Sequence, residues 1–281
     1  ALALSAQGDG EAALELLQAG EALRQEFTRS EDVTSLAAIR AGLAQAYFAI
    51  GNEQQLRGAT GAAAQNFAQA QSNAREAIDV QPDWPEPYLV LVRSQIAQRQ
   101  YSQALSTIDE VQTRTDLRQD VRFIVQRGEV ALLQEDFNEA EYLAFVAHYA
   151  DPISADAHDL RTRVAIAQND ISSASLYVQE YLYYHPLSIR GWQTLGRVRL
   201  LEGNTNLALA AFTQAITIGE NTDRPPALNA YVERADLYEQ RGQLNLALAD
   251  VTAAAQASQN PELLQRQLNL TLELGNASEA R

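Results

Sequence analysis

The chain has 281 residues, with 36 acidic against 21 basic side chains and a formal net charge of −15. That balance argues against nucleic acid or an anionic membrane as a partner, because both need a basic surface. Cysteine, methionine and lysine are all absent, which removes disulfides, thiolate metal sites, cysteine nucleophiles, Schiff-base lysines and phosphate-loop lysines together.

Hydrophobic content of 46% and charged content of 20% suit a folded chain rather than a disordered one. No apolar run approaches the ~18 residues of a membrane span, so no membrane insertion is expected. No charged-apolar-small leader pattern opens the sequence. The missing methionine at position 1 and the helical start predict an excised or processed piece. Every basic residue is Arg, so any basic contact is permanently charged and can be bidentate.

Taken in order, residues 1–30 predict a partial unit: ALALSA ends one helix, Gly8-Asp9-Gly10 turns, and EAALELLQAGEAL has helical periodicity. Residues 31–82 predict a long helix from about Asp32 to Ile50, a turn at Gly51-Asn52 and a second helix in GAAAQNFAQAQSNAREAI, ended by Pro82. Residues 83–119 open on Asp83-Trp84-Pro85-Glu86-Pro87, where proline is tolerable only in a first helical turn. Residues 120–152 close on Asp151-Pro152, and residues 153–186 on His185-Pro186. Residues 187–225 end in the longer connection GENTDRPP, and residues 226–259 follow. Residues 260–281 predict one more helix, a Gly275-Asn276 turn and the start of another. A small residue recurs throughout at Ala70, Ala104, Ala140, Ala174, Ala208, Ala247 and Ala280, with gaps of 34, 36, 34, 34, 39 and 33.

The stretch GWQTLGRVRLLEGNTNLALAAFTQAITI, residues 191–218, explains that period. Trp192, Leu195 and Gly196 stand as W-x2-L-G; Ala208, Phe212 and Ala215 stand as A-x3-F-x2-A after Gly203-Asn204. Gly196 and Ala208 are small, so two antiparallel helices can approach closely while Phe212 fills the gap. In these residues the chain resembles the tetratricopeptide repeat family over nearly its whole length. The resemblance implies a single all-α, right-handed superhelical solenoid of helix-turn-helix repeats. Against that pattern Ala70 comes ~14 residues late: either both helices are lengthened or a loop containing Arg57-Gly58 and Thr60-Gly61 intervenes, and a lengthened second helix is favoured because its stretch is rich in helix formers. Arg234 replaces the usual Leu, with Asp250 placed to pair with it.

Little in the sequence carries chemistry. His148, His158 and His185 have no i, i+3 or i, i+4 spacing among them, so no metal site is expected. No G-x-S-x-G, H-E-x-x-H or phosphate-cradling loop is present, so neither enzyme activity nor a cofactor is expected. The resemblance implies instead a protein-protein interaction scaffold that binds a peptide or protein in a concave groove. Carried over position by position, that groove includes Arg93, Arg122, Leu160, Arg163, Arg190, Thr194 and Arg197. Arg163, Arg190 and Arg197 would grip carboxylates flanking an apolar side chain accepted by Leu160 and Thr194; Asp156 and Asp159 stand close enough in register to neutralise them. The family's carboxylate clamp is disfavoured, since it uses Lys. The rival readings are a self-assembly module forming a homo-oligomer, and the regulatory arm of a larger protein. Six of the 11 tyrosines lie between Tyr142 and Tyr184, either as a locally expanded core or as an aromatic patch for a partner. The compartment stays open: lack of Cys suits an extracytoplasmic bacterial protein without requiring one.

Overall fold

Helix formers dominate the chain between short polar turns, and the structure follows them. It is a computed structural model that describes residues 10–26, 33–114, 120–222 and 227–279. The described residues form fourteen α-helices and no strand. They fall into two compact units, residues 1–55 with 59–150, and residues 151–281 with 56–58.

The first unit holds α1 (Gly10–Glu26), α2 (Val33–Leu56), α3 (Thr60–Val80), α4 (Pro85–Ala97), α5 (Tyr101–Thr113), α6 (Val121–Leu133) and α7 (Phe137–Ala150). Pro85 occupies the first turn of α4, where its missing N–H costs no intrahelical bond. Asp120 caps α6 by accepting the Arg122 N–H at 3.0 Å. Tyr88, Val92, Ile108, Phe123 and Val130 form one buried cluster across α4, α5 and α6. Ala44, Ala70, Ala74, Val90 and Leu91 form another across α2, α3 and α4.

The irregular stretch departs from expectation. Both helices of the α2/α3 hairpin are lengthened, to 24 and 21 residues, rather than the second alone. Gly51-Asn52 is no turn, because α2 runs through it to Leu56. The turn lies at Gly58, whose φ of +75° suits a residue without Cβ. Gly51 faces the ring of Phe67, and a Cβ there would sit 2.7 Å from Cε1. A helix-interior glycine costs only about 1 kcal/mol of propensity, less than the steric cost of holding two helices apart.

The second unit holds α8 (Ala155–Ala167), α9 (Ile171–Tyr184), α10 (Ile189–Leu201), α11 (Thr205–Glu220), α12 (Leu228–Gln240), α13 (Leu244–Ser258) and α14 (Pro261–Glu279). Ser154, Asp170 and Ser188 cap α8, α9 and α10 through their side-chain oxygens. Phe212 is fully buried among Ala208, Ala215, Ile216, Ala230 and Leu237, a burial that stabilises by about 2–3 kcal/mol. Gly196 admits its ring: a Cβ at Gly196 would meet Phe212 Cε1 at 2.3 Å. Arg234 and Asp250 form the expected pair, Nε to Oδ2 at 2.8 Å and Nη2 to Oδ1 at 2.7 Å. Burial works against the Arg234 charge, yet the Asp250 hydrogen bonds and charge hold its pKa above the ordinary value.

Gly275-Asn276 likewise makes no turn, since α14 continues to Glu279. Leu, Gln and Glu favour helix on both sides, and one glycine in such a run does not end it. Of the seven small anchors, the six from Ala70 to Ala247 are fully buried. Ala280, with Gly8-Asp9 and residues 223–226 of the GENTDRPP connection, lies outside the described residues.

Candidate partner-binding faces

Two kinds of surface emerge from the helices, one charged and one aromatic. The charged one is carried by the first helix of each hairpin. A repeat near 34 residues places like positions of successive first helices side by side, so a carboxylate on one can meet an Arg on the next. In the second unit Arg190 Nη1 lies 3.3 Å from Asp156 Oδ1 and 3.8 Å from Asp159 Oδ2. Arg163 Nη1 lies 3.6 Å from the same Asp159 oxygen. Arg197 reaches Glu233 at 2.5 Å, and Arg266 reaches Glu239 at 2.7 Å and Asp236 at 2.5 Å. In the first unit Arg122 grips Asp120 at 2.6 Å and Glu86 at 3.4 Å. Its pKa is raised, first through the hydrogen bonds to Asp120 and then against a lesser opposing effect of burial.

The residues singled out from the sequence therefore divide. Arg163 and Arg190 are brought together through Asp159, while Arg197 turns to Glu233 on α12. Leu160 and Thr194 are buried and show almost no surface. Arg93 is half-buried on α4 and Arg122 lies on α6, both in the first unit. Arg266 was missed by sequence reasoning; its signal was an Arg on the next first helix, 30 positions beyond Asp236. Exposed pairs of this kind stabilise by about 0–1 kcal/mol each.

The tyrosine-rich region is both core and surface. Tyr181 is buried, and its hydroxyl accepts a hydrogen bond from Ser188 Oγ at 2.9 Å. Burial, ahead of smaller effects from Ser188 and nearby charges, raises its pKa. His158 is buried and stacks on Tyr181 and Tyr184 with ring centroids at 5.9 and 5.6 Å. His185, 27 positions on, meets His158 edge-on at 6.2 Å, a convergence the helical spacing gave no hint of. Arg161 lies over the Tyr177 ring at 3.8 Å. Tyr183, by contrast, is exposed. Phe145 was missed because the sequence count followed tyrosines; it is exposed between Tyr142 and Tyr149 on α7.

By sequence the chain matches no family model and no curated protein. By structure it is similar to many solved chains. A tetratricopeptide repeat protein of Parabacteroides merdae ATCC 43184 superposes with a TM-score of 0.63 at 15% identity, over 96% of this chain and 94% of that one. A thermophilic TPR protein of Thermus thermophilus gives 0.57 at 17% identity, over 67% of this chain and all of that one. A human IFIT1 dimer with PPP-AAAA gives 0.70 at 14% identity, over 95% of this chain and 60% of that one. The chain thus has an all-α helical-repeat fold. More particularly, that fold is the tetratricopeptide repeat fold. Among the described residues no helix is long and apolar enough to cross a membrane.

Proposed function

We propose that this chain is a protein-protein interaction module, without catalysis of its own, that receives a partner segment along the first helices α8, α10 and α12. The observation that carries this reading is the exposure of Arg190 and Arg197, whose side chains are 62% and 48% accessible on α10. Asp156, the 45% exposed partner of Arg190, is intramolecular and wet, so a partner carboxylate can replace it at small cost, whereas Asp159 and Glu233 are only 5% and 21% exposed. First helices about 10 Å apart suit an extended segment with two acidic residues, each held by a guanidinium fork. Leu160 and Thr194 lie beneath this contact rather than in it. Polyanions such as RNA are a poor match for a chain of net charge −15, and the PPP-AAAA of the IFIT1 structure is not carried over. The same charge opposes self-assembly through this face.

Panning a random peptide display library on the purified chain tests the reading. Enrichment of peptides with paired Asp or Glu is expected, and Arg190→Ala with Arg197→Ala should weaken their binding by about 2 kcal/mol, the scale of lost charged hydrogen bonds. Undiminished binding with helicity intact moves the site elsewhere.

A further inference from the structure

The second helices present an outward face that the first-helix reading does not use. On α7 that face carries Tyr142, Phe145 and Tyr149, 62%, 60% and 80% exposed. Their i, i+3, i+7 spacing sets them in one stripe. Phe145 and Tyr149 stack with ring centroids 6.4 Å apart and planes 21° apart. None of the three is needed for packing, because α7 buries Ala140, Leu143, Ala144 and Ala147 on its other side. The full stripe is not repeated at the equivalent positions: they are Ser106, Asp109 and Thr113 on α5 and Ala210, Thr213 and Thr217 on α11, while α9 carries Leu176, Gln179 and Tyr183.

Charge decides what covers the stripe. The 100° step of a helix puts Glu139 along one edge and Glu141 along the other, both exposed. Glu135 and Asp136 stand exposed at the turn before α7, and no Arg occurs between Arg127 and Arg161. The geometry points to a basic amphipathic helix of a partner protein as the occupant. Its apolar residues at i, i+3, i+4 and i+7 would cover the three rings, and its Lys or Arg would reach the acidic edges or lie over a tyrosine face. A second copy of this chain fits badly, since it brings the same carboxylates and a net charge of −15 to the contact.

The test uses the whole chain and a fluorescent synthetic helix of leucine and lysine at amphipathic spacing, with a leucine and glutamate helix as its counterpart. The lysine helix should bind, and Tyr142→Ser with Tyr149→Ser, which leave the charge unchanged, should weaken it about tenfold or more, the scale of lost aromatic anchors. Glu139→Gln with Glu141→Gln should weaken it too and flatten its dependence on salt. Equal affinity in the serine variant would reduce the binding to bulk charge and overturn the proposal. Equal binding of the glutamate helix would overturn the charge argument. A concentration-dependent dimer in sedimentation, lost on Tyr142→Ser with Tyr149→Ser, would overturn the partner helix and make a second copy the occupant. None of these outcomes bears on Arg190 and Arg197, so the two faces stand or fall separately.

Discussion

On α5 the positions that point away from the core are Ser106, Asp109 and Thr113; on α7 the same positions are Tyr142, Phe145 and Tyr149. The inner faces of these helices agree closely, with Ala104 and Ala140 both fully buried one repeat apart. At this anchor the side chain must clear a neighbouring helix, so close packing limits it to a small residue. Each outer side chain meets water, and the fold leaves it free to vary. A single exposed aromatic on such a face is ordinary, and it is the run of three in one stripe on α7 that supports the partner proposed above.

That contrast can be broken from the inside first. Gly196→Leu drives a side chain into the Phe212 ring, where a Cβ alone would already lie 2.3 Å from Cε1. A loss of about 1–3 kcal/mol is expected from overpacking, read as a lower midpoint in chemical denaturation. An unchanged midpoint would show that α10 and α11 do not pack through this contact.

A smaller effect, of opposite sign, belongs to the turns. Glu135 has φ of +62°, at the turn position where Gly203 and Gly242 have φ of +78° and +67°. Glu135→Gly should therefore stabilise the α6/α7 hairpin by up to about 1 kcal/mol, since a Cβ is costly in the left-handed region. A lowered midpoint would mean that glycine's extra freedom in the unfolded chain outweighs the relief.

The smallest effect sharpens the contrast directly. Tyr142→Ser and, in the reverse sense, Ser106→Tyr should each change stability by less than about 0.5 kcal/mol, as surface changes do. Tyr142→Ser costing well over that in a thermal melt would show that the stripe is structural and remove the case for a partner there.

Much of the fold was legible in the chain. The interval near 34 residues between small anchors, and the pairing of a glycine with a phenylalanine 16 positions later, encode a helical hairpin through local spacing alone. The same pairing misled where it was read as a turn: Gly51 matches Gly196, with Phe67 in place of Phe212. Both glycines are there for close helix approach, and only the longer helices around Gly51 disguised it. The Arg234–Asp250 pair was legible because both residues sit in one hairpin.

The sequence by itself determined where the small anchors of each hairpin face inward, because helical periodicity and residue size act within a turn or a hairpin, but it set Leu160 and Thr194 in the groove although they are buried. Tertiary structure decided what the charges and rings meet. Glu233 reaches Arg197 across 36 positions and Glu239 reaches Arg266 across 27, while the Asp156–Arg190 contact across 34 was expected from the repeat. The first two meetings depend on the register in which successive hairpins stack, which no local pattern records. Tyr181 and Tyr183 are two residues apart, yet one is buried beside His158 and the other is exposed. On a helix, two positions are a 200° turn, so nearly opposite faces meet different surroundings. Only the placement of α8 beside α9 settles which of the two is core.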